Sequence, residues 1–102
     1  MSKIKLDALN VEVSNATILD NEVHVNFEYE LLSEREIKHY LDAFVGRSKR
    51  DCRYSLKMIF IVEVDEYYDK EELIENSIKL VVKPLVDIIS MIDQFVLEER
   101  FN

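Results

Sequence analysis

A chain of 102 residues, nearly half of them hydrophobic and a third charged, has the apolar surface for one core and too little length for two, so residues 1–102 are expected to form a single folded domain rather than a disordered or multidomain chain. The formal charge of −8 repels phosphate backbones and anionic lipid headgroups, so no nucleic acid and no membrane is expected as a partner, and a basic protein is the natural electrostatic complement. Cys52 stands alone, which excludes an intrachain disulfide and a Cys-based zinc site; with no apolar run longer than Met58–Val62 and Asp7 interrupting the first residues, a cytoplasmic protein is expected.

In chain order, Ile4, Leu6 and Ala8 alternate on one phase and Leu9, Val11 and Val13 on the other. The inward face of this first strand therefore changes phase at residues 8 to 9, and a β-bulge is expected there. Asp20 and Asn21 tolerate positive φ and suit a two-residue hairpin turn, which predicts antiparallel pairing of the first strand with the next. That next strand is the clearest element: Val23, Val25, Phe27, Tyr29 and Leu31 alternate with His24, Asn26, Glu28 and Glu30, the period of a strand with one face buried and one wet.

Residues 34–46 support two readings. With helical period, Ile37, Tyr40, Leu41, Phe44 and Val45 form a stripe, Ser33 to Glu36 has the spacing of a capping box and Gly46 closes the helix. With strand period, Ile37, His39, Leu41, Ala43 and Val45 line one face, and Gly46 to Asp51 becomes a hairpin loop. Periodicity by itself favours the helix.

Tyr54, Leu56, Met58, Phe60, Val62 and Val64 hold one strand phase, with Ser55, Lys57, Ile59, Ile61 and Glu63 between them. Because Ile59 and Ile61 are apolar as well, the middle of this strand is expected to be covered on both faces, as in a central strand or a subunit contact. The C-terminal third is helical: Asp69 followed by Glu72 marks its start, and Ile74, Ile78, Val81, Leu85, Ile88, Ile92 and Phe95 recur every three or four residues. Pro84 is expected to kink the helix or split it near Val82 and Lys83. A second apolar set, Leu73, Leu80, Val82, Val86, Ile89 and Met91, exceeds what one sheet face covers and points to burial against another subunit or a client.

Catalytic constellations are absent from the pattern. A lone Gly46 cannot build a phosphate cradle, and neither His24 nor His39 stands in a recognisable motif with Cys52 or a serine. On the strand reading His24 faces outward and His39 inward, an ordinary surface histidine and an ordinary core one. Seven acids, Glu63, Asp65, Glu66, Asp69, Glu71, Glu72 and Glu75, crowd the strand-to-helix junction with Lys70 among them. Their spacing is not that of an EF-hand; the readings are, in order, solvated junction charges, contact with a basic partner and a divalent cation, so no metal and no cofactor is expected. Arg47, Lys49, Arg50 and Arg53 cluster around Asp51 and read as a solvated loop, and Tyr67 and Tyr68 as a cap on the sheet.

The run RYSLKMIFIVEVDEYY, followed after the acidic junction by a helix carrying VVKPLVDIISMIDQFV, resembles the end of the SecB-like chaperone fold, in which a long last strand runs into a long helix. It is also similar to a group of small Firmicute proteins that share that fold. The resemblance implies an α+β domain: an antiparallel meander of about four strands, with residues 36–46 as the third strand, packed with the long C-terminal helix. It further implies a homo-oligomer, dimer or tetramer, that holds unfolded preproteins in apolar grooves without nucleotide, its acidity suited to the basic tail of the SecA motor.

The function expected from these readings is a nucleotide-independent polypeptide-binding module, not an enzyme. Its client or oligomer contacts are expected at Ile59, Ile61, Leu73, Leu80, Val86 and Met91, and an acidic partner contact at Glu63, Asp65, Glu66, Asp69, Glu71 and Glu72. The alternative is a small acidic adaptor or inhibitor, of phage type, covering the basic surface of one folded partner.

Overall fold

The computed structural model describes residues 2–14, 20–66 and 69–101, with side chains through residue 95. Four strands, β1 (Lys3–Val13), β2 (Val23–Leu31), β3 (Glu36–Gly46) and β4 (Cys52–Glu63), precede one helix, α1 (Lys70–Phe101). The architecture is α+β, a four-stranded antiparallel sheet with a helix on one face.

The sheet order is β1-β4-β3-β2. β2, β3 and β4 form a meander, whereas β1 pairs with β4 and not with β2, so the hairpin expected at Asp20-Asn21 does not form. Asp20 makes a local turn instead, its Oδ1 accepting the Glu22 N–H at 2.9 Å. β1 pairs instead along Leu56, Met58 and Phe60 of β4, and this pairing makes β4 central. The expected bulge is present one residue earlier than the phase change suggested: Leu6 pairs with Phe60 and Ala8 with Ile59, so Asp7 is the extra residue. It keeps Ile4, Leu6, Leu9, Val11 and Val13 on the helix side while Ala8 turns to the far side.

Residues 36–46 are strand, and the helical stripe is overruled by pairing on both sides. Ile37, His39, Leu41, Ala43 and Val45, the strand-phase row, are all buried. Ser33 and Glu36 shape the β2–β3 turn: Leu32 and Ser33 N–H groups donate to the Glu36 carbonyl and Arg35 N–H to Ser33 Oγ. Gly46, with φ of 151°, opens the β3–β4 connection, where a Cβ would lie 2.5 Å from Cys52 Cα.

Asp69 caps α1, its Oδ1 accepting the Glu72 N–H at 2.8 Å. The helix then continues unbroken through Pro84 to Phe101, so the expected split does not occur. Its buried row is Leu73, Ser77, Val81, Leu85 and Ile89, one residue every four. Ser77 lies against His39 on β3, and Ile89 beside Tyr54 on β4. From Ser77 to Ile89 is about 18 Å of helix, and from His39 to Val45, the partner of Tyr54, about 20 Å of strand. The helix therefore runs along the strands, its backbone near β3, β4 and β1, with no such approach to β2 among the described residues.

Candidate binding surface

A helix is about 10 Å across and strands lie about 4.8 Å apart, so one helix covers about two strands. Here those are β3 and β4, whose helix-side residues from Ile37 to Val45 and from Tyr54 to Val62 are 0–2% exposed. The same alternation on β1 and β2 is less covered: among the described residues the helix backbone approaches β1 and not β2. Ile4, Leu6, Leu9 and Val13 on β1, and Val23, Tyr29 and Leu31 on β2, are 37–52% exposed. Only the middle of each row, Val11 on β1 and Val25 and Phe27 on β2, packs against the core. Two apolar ledges thus flank the helix. At the turn end of β2 a cleft of about 410 Å³ opens between Leu31, Leu32, Ser33 and Glu34 on one side and Lys70 and Leu73 on the other.

The sequence expectation placed the apolar contact elsewhere. Leu73 is a core residue at 2% exposure, because α1 enters against β3 by that side, and Leu80 is half-buried against the same core. Ile89 likewise turns inward, whereas Phe95 is 59% exposed. Val86 and Met91 are exposed, as are Val82 and Phe95. Ile59 and Ile61 lie half-buried on the far face of the sheet, in register with Tyr40 and Lys38 of β3 and with Ala8 and Lys5 of β1. A smaller cleft of about 260 Å³ opens beside Ile59, between Asn26, Glu28, Tyr40, Asp42 and Lys57. The six expected residues are therefore distributed over the core, the helix surface and the far face, and do not form one patch. The ledges were missed, although their signal was present: four apolar strand rows share a face with a single helix.

The acids are also dispersed in role. Asp69 is the helix cap, Glu71 and Glu72 lie exposed in the first turn, and Glu63 ends β4 in register with Lys3 on one side and Glu36 on the other. Asp65 and Glu66 are exposed. Among the described residues no group of three or more histidine, cysteine or acidic side chains could hold a metal ion. Tyr67 and Tyr68 lie outside the described residues. The basic cluster divides into pairs: Arg47 with Asp51 at 3.8 Å and Lys49 with Asp42 at 2.7 Å, while Arg53 is buried beside Asn21 and Asp93.

The buried polar groups sit under the helix. His39 and Ser77 are fully buried and 2.8 Å apart, and Ser77 Oγ donates to the Ile74 carbonyl at 2.9 Å. With that proton committed, the arrangement without an unpaired buried donor has His39 Nε2–H donating to Ser77 Oγ, and Nδ1 bare and, among the described residues, without a hydrogen-bond partner. Burial lowers the His39 pKa from its ordinary value of 6.5. At the other end Tyr54 donates to Asp93 at 2.7 Å, and burial, then that carboxylate, raises its pKa. His24 is half-buried on the far face and stacks on Phe44 at 4.6 Å. Burial pushes the Cys52 thiol up, the reverse of what a reactive thiolate needs.

Comparison of the chain with protein-family models, with curated proteins and with solved structures finds no match.

Proposed function

We propose that this protein is a nucleotide-independent, SecB-like polypeptide-binding module of the cytoplasm, which holds non-native or basic chains as a homo-oligomer and catalyses no reaction. What carries the reading is the pair of ledges: long apolar side chains in regular rows on β1 and β2, 37–52% exposed on both flanks of one helix. Contiguous apolar surface of this kind marks contact with another polypeptide. A strand row that is apolar at every second position accepts many sequences, because it reads side-chain character and not identity. The net charge of −8 favours basic clients and holds the carrier itself in solution.

The test is suppression of aggregation of a chemically unfolded client, without ATP, at equimolar protein. Delayed light scattering supports the reading, and an unchanged time course at tenfold excess sinks it. Capture of one folded protein at fixed stoichiometry, with no effect on unfolded clients, would support the acidic adaptor instead.

A further inference from the structure

Both edges of the sheet are open among the described residues, and they differ in charge. On β2, the Glu22 carbonyl and the Leu32 N–H bond to β3. Even-numbered residues therefore bond inward, and Val23, Val25, Phe27, Tyr29 and Leu31 turn their N–H and C=O groups out. On β1, the Ser14 N–H bonds to Arg53, so Leu9, Val11 and Val13 turn theirs out, and across the bulge the same holds for Ile4 and Leu6. Each edge thus presents its free backbone groups at residues whose side chains lie on the helix side. On the far side, the outer half of β2 carries Glu28 and Glu30, and the first half of β1 carries Lys3 and Lys5. Glu30 accepts the Tyr40 hydroxyl, and Lys38, its partner in register, lies with its ammonium 5.3 Å from the Tyr40 ring centre. Among the described residues no cation pairs with Glu28 or Glu30, and Lys5 reaches only Asp7, at 3.8 Å.

We propose that the occupant of the β2 edge is β1 of a second copy of this chain, joined antiparallel so that the sheet continues from one copy into the next. This gives the homo-oligomer of the reading above its interface and rests on that reading. One register sets both lysines against glutamates and keeps the facing, its one like-charge pair being Glu12 opposite Glu22 at the far end of the contact. Lys3 stands opposite Glu30 and Lys5 opposite Glu28; Ile4 then falls opposite Tyr29 and Leu6 opposite Phe27. Past the Asp7 bulge, Leu9 falls opposite Val25. Every helix-side residue meets a helix-side residue, and the outward N–H and C=O groups of the two edges face each other, as an antiparallel ladder requires.

The alternatives fit less of the surface. β1 paired with β1 leaves every acidic β2 edge open, and β2 paired with β2 gathers four glutamates on one face with no lysine opposite. Joining β1 to β2 closes both edges with one kind of contact, and being head to tail it continues into a ring or a longer array. It also changes what the ledges are. Successive helices would lie four strands apart, about 19 Å, and each is about 10 Å wide. Between them runs a valley about as wide as an extended chain, floored by Ile4 and Leu6 of one copy and by Tyr29 and Leu31 of the next.

Charge exchange measured by sedimentation velocity across about 5–200 µM tests the contact. Wild type is expected to grow beyond the dimer with concentration. The variants K3E/K5E and E28K/E30K, each with unchanged circular dichroism, are expected to associate at least tenfold more weakly. Mixed in equal amounts, they are expected to associate again, since the carboxylates introduced on β1 of one variant then face the ammonium groups introduced on β2 of the other, and the two unaltered edges also meet. Weakening by K3E/K5E alone, with E28K/E30K unaffected, would assign the contact to β1 with β1 and overturn the proposal. No recovery on mixing, or wild type that stays monomeric at the highest concentration, would overturn it as well. Suppression of client aggregation is read separately on the same samples, so that a polypeptide-binding protein without this interface is told apart from one that binds no polypeptide.

Discussion

The helix-side rows of β3 and β4 and those of β1 and β2 are written in the same alternating pattern, yet the first pair is sealed and the second half open. Leu6 and Phe60 are cross-strand neighbours on one face, one 42% and the other 1% exposed. Alternation tells which way a side chain points. Coverage depends on where α1 lies, and a helix aligned with the strands seals two of the four. The centre of this face is thus a folding core, and its rim is a surface with the chemistry of a core.

The largest test of that difference pairs Phe60→Ala with Leu6→Ala. Truncation of Phe60 is expected to cost about 3–5 kcal/mol through lost burial and a cavity, and truncation of Leu6 less than about 1.5 kcal/mol, because water already reaches it. Urea unfolding at low protein concentration measures both. Equal costs would break the comparison and place Leu6 in a second core.

Next is the polar contact in the centre. Ser77→Ala removes the acceptor of His39 Nε2–H and leaves a buried N–H unpaired in either tautomer, an expected loss of about 1–3 kcal/mol. His39→Leu is expected to cost less, since Ser77 keeps its bond to the Ile74 carbonyl. If the serine variant is as stable as wild type, the pair does not join helix to sheet.

The same histidine makes the centre sensitive to acid. Its folded pKa lies below the ordinary 6.5 because burial disfavours the charged ring, so below about pH 6.5 the unfolded chain binds a proton that the folded one refuses. Its contribution is present in full above pH 6.5 and is lost as pH falls toward the folded pKa, with a slope of at most about 1.4 kcal/mol per pH unit. The difference in stability between wild type and His39→Leu, measured from pH 8 to pH 5, is expected to change in that direction, wild type losing ground to the variant as acid is added. A difference that stays constant with pH would contradict a neutral buried ring.

The smallest effect belongs to the entry of the helix. Asp69→Ala removes the cap on the Glu72 N–H, at an expected cost of about 1 kcal/mol. Hydrogen exchange should quicken in the first turn and leave Val81 to Ile89 protected. Loss of protection throughout α1 would show that the helix holds the sheet as one unit with its cap.

Much of the local structure was legible from residue order. Val23 to Leu31 alternate and Tyr54 to Val62 hold one apolar phase over their whole length, the phase slip near Ala8 announced the bulge at Asp7, and Asp69 with Glu72 announced the helix cap, because each depends on neighbours within a few residues. Residues 36–46 carried helix and strand patterns at once, and what decided between them was pairing with β2 and β4, beyond the reach of a local pattern. Pro84 was expected to kink or split the helix; it does not split it, since packing along Val81, Leu85 and Ile89 outweighs one lost backbone bond. The buried stripe of α1 was obscured by Ser77, a polar residue at its centre whose place makes sense only opposite His39, 38 residues earlier. The apolar ledges follow the same rule. Sequence order determined that Ile4, Leu6, Tyr29 and Leu31 share the helix side of the sheet, and only the tertiary structure decided that they lie at its rim, because β1 found β4 as its partner and the helix settled over the two strands in between.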